Sequence, residues 1–188
     1  MTVAFLILLG LVGVERLVEL RISRRNQREL VQRGAKKIVE PHFRWIVVLH
    51  TAVLVCAAAE VLWLGRPFIP GLAAVMGALF VISNLLRWWV IRTLGSHWNV
   101  QIMESSQLGV VTSGPYHWIR HPNYVGVVLE VFSLPMIHTA WITALAATVA
   151  QCDLLRRRLR LEDGALLANP AYRATMGAKP RFLPRLFS

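Results

Sequence analysis

The chain has two cysteines, Cys56 and Cys152, each inside an apolar run. Two isolated thiols supply neither a disulfide framework nor the paired spacing of a zinc site. They read as small buried hydrophobes. Acidic residues are also scarce: ten Asp and Glu stand against 21 Lys and Arg, for a formal net charge of +11. No Gly-x-Gly-x-x-Gly turn, Walker loop or Ser-centred elbow occurs, which removes the common nucleotide-binding and serine-hydrolase signatures. Internal repeats and low-complexity tracts are lacking, and the final Arg185-Leu186-Phe187-Ser188 offers no cysteine for lipidation.

What the chain does have is apolar residues in blocks. They make up 55% of its 188 residues, and the mean hydropathy is +0.50. A soluble domain averages about 45–50% apolar. The blocks predict an all-α integral membrane protein, one domain over 1–188. About 20 apolar residues cross roughly 30 Å of hydrocarbon. Five spans are expected, at about 3–20, 45–64, 70–91, 124–137 and 140–155. The last two are short and are separated by His138-Thr139, so they read as a helical hairpin.

The positive charge flanks these blocks. Residues 21–44 carry eight Lys and Arg, and the tail 156–188 carries another eight. The connection between spans two and three carries only Arg66. This is the positive-inside pattern, and it suits anionic headgroups. With no recognition motif beside the charge, it points away from nucleic acid. The first apolar run lacks a basic segment before it, so it reads as a retained span with its N-terminus outside. Five crossings then put the C-terminus and the 95–124 segment in the cytoplasm. Leu, Arg and Glu keep residues 156–167 helical, Asn169-Pro170 ends that helix, and 179–184 reads as an irregular strap at the interface.

The chemistry gathers in Gly114-Pro115-Tyr116-His117-Trp118-Ile119-Arg120-His121-Pro122-Asn123-Tyr124-Val125-Gly126. Pro122 suits the first turn of a helix. His121 then lies beside free backbone N–H groups, where anions are favoured. Tyr116, Trp118 and Tyr124 can line a pocket for a flat ring. The competing reading is an interfacial aromatic belt with a snorkelling Arg. After the last span, Arg158 and Glu162 are four residues apart and share one helix face. There the competing reading is a solvated basic helix end. His97, Trp98 and Asn99 read as interfacial packing.

Glu15, Arg16, Glu19, Glu60, Arg87 and Glu130 fall inside expected spans. Ionisable residues there face the bundle interior and are functional candidates. Glu130 lies seven residues beyond Asn123, on the same face and two turns deeper, so it is a candidate for a substrate's polar head. The alternative is an internal ion pair, such as Arg87 with Glu19.

At these residues the chain resembles the isoprenylcysteine carboxyl methyltransferase family. That family is similar in a Gly-x-Tyr-x-x-x-Arg-His-Pro-x-Tyr-x-Gly run followed by an Arg, a Glu-Glu pair and a Leu. Gly114 to Gly126 matches the first part unbroken. Arg158, Glu162-Asp163 and Leu166 match the second, with Asp163 at the second Glu. Met176 stands where the family often has a Tyr four residues after the position of Tyr172. The resemblance covers about residues 95–175.

The resemblance implies a membrane enzyme that uses S-adenosyl-L-methionine at the cytoplasmic face. It implies that Leu108, Gly109, Val110, Val111, Tyr116, His121, Pro122, Asn123 and Tyr124 hold the cofactor, together with Gln101 and Glu162. It makes Arg158 and Glu162 catalytic, with Arg158 facing the substrate's oxygen. The short form looks like bacterial relatives of the inner membrane, some similar to O-methyltransferases of long-chain alkylpyrones and alkylresorcinols. The expected partners are therefore membrane lipids and a lipophilic acceptor with an acidic hydroxyl or carboxylate. A prenylcysteine carboxylate is the alternative acceptor. An NADPH-dependent membrane reductase with a similar His-Pro-x-Tyr segment and a non-catalytic adaptor are alternatives of other classes.

Overall fold

Helix α1 covers Thr2–Gln32 and buries Phe5, Leu9, Val12, Glu19, Ser23, Asn26 and Leu30. These recur at intervals of three, four or seven residues, so one stripe of the helix faces the bundle along its length. At 1.5 Å per residue it is about 46 Å long, well beyond the roughly 30 Å of a hydrocarbon core. Good helix formers after Leu20 carry the helix past the expected end of span one. In the computed structural model, residues 1–104 and 109–184 are described.

The other helices are α2 (Phe43–Trp63), α3 (Pro70–Leu94), α4 (Pro122–Met136), α5 (Trp141–Ala168) and α6 (Pro170–Met176). Short 3₁₀ turns at Gly95–His97 and Gly114–His117 flank the segment before α4. Strand β1 (Lys36–Lys37) pairs antiparallel with β2 (Met103–Glu104), Lys36 opposite Glu104. Two helical runs, Phe43–Trp63 and Pro70–His97, are long and apolar enough to cross a membrane. The other expected spans fall short of that measure for visible reasons. The apolar start of α1 runs into Glu15, Arg16 and Glu19, and α4 has only 15 residues. Residues 137–140 join α4 to α5, whose apolar start continues into a basic half.

Phe5, Leu9 and Val12 pack on Ala57, Val61, Leu134 and Ala140 at one end of the bundle. Val53, Val127, Val131 and Ala147 fill its middle. Tyr124, Leu155 and Leu159 close the end that holds the polar motifs. Gly126 lets α4 approach α3, because a Cβ there would lie 3.2 Å from the Ser83 carbonyl oxygen. Small residues at such crossings allow close backbone approach.

Between these layers lies a buried ionic cluster. The Arg87 guanidinium donates to both Glu19 oxygens, at 2.6 and 2.9 Å, and to Glu130 Oε2 at 3.2 Å. Arg16 pairs with Glu15, Glu19 and Glu130. The internal pair expected for Arg87 and Glu19 is thus present. Pairing removes most of the cost of placing charge among apolar helices.

Candidate active site

Pro122 is the first residue of α4, and His121 is its N-cap. The helix start therefore fixes His121 by local chemistry: Pro at N1 needs no hydrogen-bond acceptor. Gly114 takes φ +56°, and a Cβ there would sit 2.5 Å from Thr93 Oγ1. Only glycine fits that turn without strain. It places Tyr116 and the start of α4 beside the end of α3.

His121 Nε2–H donates to Asp163 Oδ1 at 2.8 Å, and the ring stacks on Tyr124 at 5.4 Å. The Tyr124 hydroxyl donates to Glu162 Oε2 and accepts from Arg158 Nε at 2.7 Å. Arg158 also donates to the Val100 carbonyl at 2.8 Å and pairs with Glu40 at 3.1 Å. One turn of α5 thus presents Arg158 and Glu162 to one face, as their spacing requires. Burial, reinforced by the Glu162 carboxylate, pushes the Tyr116 and Tyr172 phenols well above their ordinary value. Both remain hydrogen-bond donors at neutral pH.

The tail locks over this site. The Pro180 carbonyl accepts from the Arg120 N–H, and the Arg181 carbonyl accepts from the His121 N–H. Lys179 Nζ donates to the Tyr116 carbonyl, and Arg181 Nε donates to Asp163 Oδ2 at 2.8 Å. Burial works against the Asp163 carboxylate, but His121, Arg120 and Arg181 outweigh it and hold its pKa low. The strap expected at 179–184 is therefore a set of specific contacts. Asn169 caps α6 by accepting from the N–H groups of Ala171 and Tyr172, which turns the chain back towards the site.

A cavity of about 990 Å³ joins these groups to the bundle interior. Its polar end has Gln101, Tyr116, His121, Asn123, Tyr124, Arg158, Glu162 and Tyr172 in its wall. Its other end runs between α1 and α2 along Gly10, Gly13, Val14, Val47, His50 and Leu54. Gly109, Val110 and Val111 also line it.

The sequence-predicted residues thus converge, with three differences. Pro122 is fully buried and shapes α4 without a place in the wall. Leu108 lies outside the described residues. Glu130 is held by Arg87 and Arg16, and at that depth the wall is made by Arg16, Glu19 and Arg87. The seven-residue spacing puts Glu130 on the face of Asn123, but Arg87 and Arg16 claim its carboxylate.

Two groups escaped the sequence reading. Asp163 stood out only as a substitution within the Glu-Glu pair. Glu40 is one of two acids among the eight basic residues of 21–44, and that contrast was the available signal. The extension of α1 contributes as well: Gln27 Nε2 donates to Asn99 Oδ1 and Gln101 Oε1, and Ser23 Oγ donates to Asn99 Oδ1.

Comparison with known proteins places this geometry. The model of the isoprenylcysteine carboxyl methyltransferase (ICMT) family matches residues 75–168. The uncharacterized protein YpbQ of Bacillus subtilis is 31% identical over 165 residues, covering 86% of this chain and 96% of that protein. The protein-S-isoprenylcysteine O-methyltransferase of Tribolium castaneum is 33% identical over 90 residues, 47% of this chain and 32% of the relative. That of Xenopus laevis is 30% identical over 97 residues, 50% and 34%. The match to these two enzymes thus spans only about a third of their length. The solved structure of the eukaryotic intramembrane Ras methyltransferase ICMT superposes with a TM-score of 0.55 at 25% identity, covering 73% of this chain and 52% of that one. With its matched central segment, a relative aligned over nearly its full length and the shared helical fold, this chain belongs to the isoprenylcysteine carboxyl methyltransferase family of membrane methyltransferases.

Proposed function

We propose that the protein transfers a methyl group from S-adenosyl-L-methionine to an oxygen of a lipophilic acceptor at the cytoplasmic face of a bacterial inner membrane. One observation carries this reading: a single cavity has Arg158 and Glu162 at one end and apolar helix walls at the other. A soluble donor and a membrane-dissolved acceptor can meet there. In this reading α1, α4 and α5 cross the membrane with α2 and α3, the N-terminus lies outside, and the basic segments lie inside.

The residues fit that cofactor. Glu162 offers a carboxylate to an ammonium, Tyr116 and the His121–Tyr124 stack offer ring faces, and Asn123 Oδ1 is a buried acceptor without a partner among the described residues. Gln101, Gly109, Val110 and Val111 complete the cradle. When bound, S-adenosyl-L-methionine supplies an electrophilic methyl on a sulfonium sulfur.

The protein's own task is positioning. Arg158 stays charged at any working pH, so it holds an acceptor oxygen as the anion and takes no proton from it. An anionic nucleophile in line with a methyl carbon needs orientation more than acid–base help. Glu162 fixes the Tyr124 hydroxyl, which in turn fixes Arg158. The apolar walls exclude water and strengthen these charge interactions.

The acceptor we favour is an acidic hydroxyl or carboxylate on a long-chain ring lipid, such as an alkylpyrone or alkylresorcinol. The isoprenylcysteine carboxylate is the second reading, favoured by the names of the Tribolium and Xenopus relatives. The test is transfer of labelled methyl by detergent-purified protein to a panel of alkylpyrones, alkylresorcinols and a prenylcysteine analogue. Label in one acceptor, lost in His121→Ala and Arg158→Ala, supports the reading and selects the class. Cofactor binding without transfer rejects this acceptor panel, and absence of both rejects the function.

A further inference from the structure

The Arg158 guanidinium has five N–H groups, and three different parts of the chain hold its three nitrogens. Nε donates to the Tyr124 hydroxyl on α4. Nη2 donates to the Val100 carbonyl at 2.8 Å. Nη1 lies 3.1 Å from Glu40 Oε1, on the connection between α1 and α2. Among the described residues Glu40 Oε1 accepts no hydrogen bond, so it holds Nη1 through charge; Nη1 keeps both N–H groups and Nη2 keeps one.

Glu40 reaches this place through main-chain pairing. Lys36 and Lys37 pair with Glu104 and Met103, and the Ile38 N–H donates to the Ile102 carbonyl at 3.0 Å. This ladder runs Glu40 alongside Val100–Ile102, so one small sheet delivers both the carboxylate and the carbonyl to Arg158. The Glu40 side chain is only 3% exposed. Arg158 is in the cavity wall and Glu40 is not, so the carboxylate stands behind the guanidinium. Glu40 also lies outside residues 75–168, where the family model matches.

Buried ion pairs add little stability compared with apolar packing. A pair placed directly behind a group that faces the cavity is better accounted for by orientation. We propose that Glu40 is a positioning residue for methyl transfer: from behind, it fixes which N–H groups of Arg158 face the acceptor oxygen. The inference rests on the methyl-transfer reading of Arg158. Burial also raises the Glu40 carboxyl above the ordinary carboxylate range, against the pull of Arg158, with Glu162 raising it further and the Ile102 N–H and His42 lowering it.

The test compares Glu40→Gln and Glu40→Asp, each alone and in an Arg158→Lys background, by kcat, KM for both substrates and melting temperature. Glu40→Gln is expected to lower kcat about tenfold or more, with cofactor KM and melting temperature close to wild type. Glu40→Asp is expected to recover part of that loss. In the Arg158→Lys background Glu40→Gln is expected to cost under about twofold, because coupled groups are non-additive. Full kcat in Glu40→Gln, or the same cost in both backgrounds, overturns the proposal. A lower kcat, a raised cofactor KM and a lower melting temperature together in both variants also overturn it, since that is a structural role alone. If Glu40→Gln does not fold, Glu40→Asp decides: unchanged kcat overturns the proposal, and a kcat loss without a cofactor KM change supports it. A wild-type protein that methylates nothing removes the underlying reading before any variant is made.

Discussion

His121 Nε2 and Asp163 Oδ1 are 2.8 Å apart, and the same carboxylate binds Arg181 through its other oxygen. One side chain on α5 therefore ties the start of α4 to the C-terminal strap. The Asp at the second place of the acidic pair is the anchor of the tail.

Asp163→Asn should loosen that strap. Losing the charged acceptor for His121 and Arg181 costs about 2 kcal/mol. The expected result is a lower melting temperature and a raised KM for S-adenosyl-L-methionine, with kcat at saturation changed less. Thermal denaturation and steady-state kinetics check both.

The strap and Glu40 should respond to acid at different pH. Asp163 is held below its ordinary value, about 3.9 for a free Asp, so its stabilisation is fully present above that value. It is lost only as pH falls through the lower folded value. Glu40 is shifted the other way, so it takes up its proton at higher pH. An acid limb in kcat should therefore appear while the strap is still closed, and Glu40→Gln should remove that limb. Activity against pH, paired with proteolysis of the tail, separates the two events.

Tyr124→Phe removes the hydroxyl that joins Arg158 to Glu162. Both charged groups remain, but the link between them is gone. A displacement of about 1 Å at a reacting centre costs roughly a hundredfold in rate, so kcat should fall by that order while folding is retained. Single-turnover methyl transfer is the direct measurement.

Arg87→Leu should be costly in a different way. Among the described residues it leaves the Glu19 carboxylate with only Arg16 as a cationic partner, and it weakens the hold on Glu130. Breaking a buried pair costs about 3–5 kcal/mol. The expected outcome is loss of folded protein in detergent, read by size-exclusion profile and melting curve.

Glu60→Gln tests the opposite end of the bundle. Glu60 accepts from the N–H groups of Ile142 and Thr143 and from the Thr143 hydroxyl, and it binds Arg66. It caps the start of α5, far along the helix from Arg158. A cap loss of about 1 kcal/mol should lower the melting temperature and leave kcat and KM unchanged.

The parts of the site legible in the sequence are those set by local chemistry. Pro122 at a helix start, Arg158 and Glu162 on one face, and Asn169-Pro170 as a stop follow from neighbouring residues. Hydropathy located the apolar runs but did not locate the helix ends, because α1 continues for 12 residues past Leu20. Glu40, Gln27 and Ser23 meet the site only through contacts 50 or more residues away along the chain, and no local period encodes those. Glu130 shows the same limit: its spacing from Asn123 is local, but its partners Arg16 and Arg87 lie on other helices.

The cavity is one continuous volume from the Arg158 end to the helices at Gly10 and Leu54. An acceptor entering along those walls arrives by diffusion in two dimensions. Its relevant concentration is then its mole fraction among lipids or detergent. Apparent KM for the acceptor should scale with the amount of amphiphile present, whereas that for the soluble donor should not. The two substrates of one active site would then obey different dilution laws.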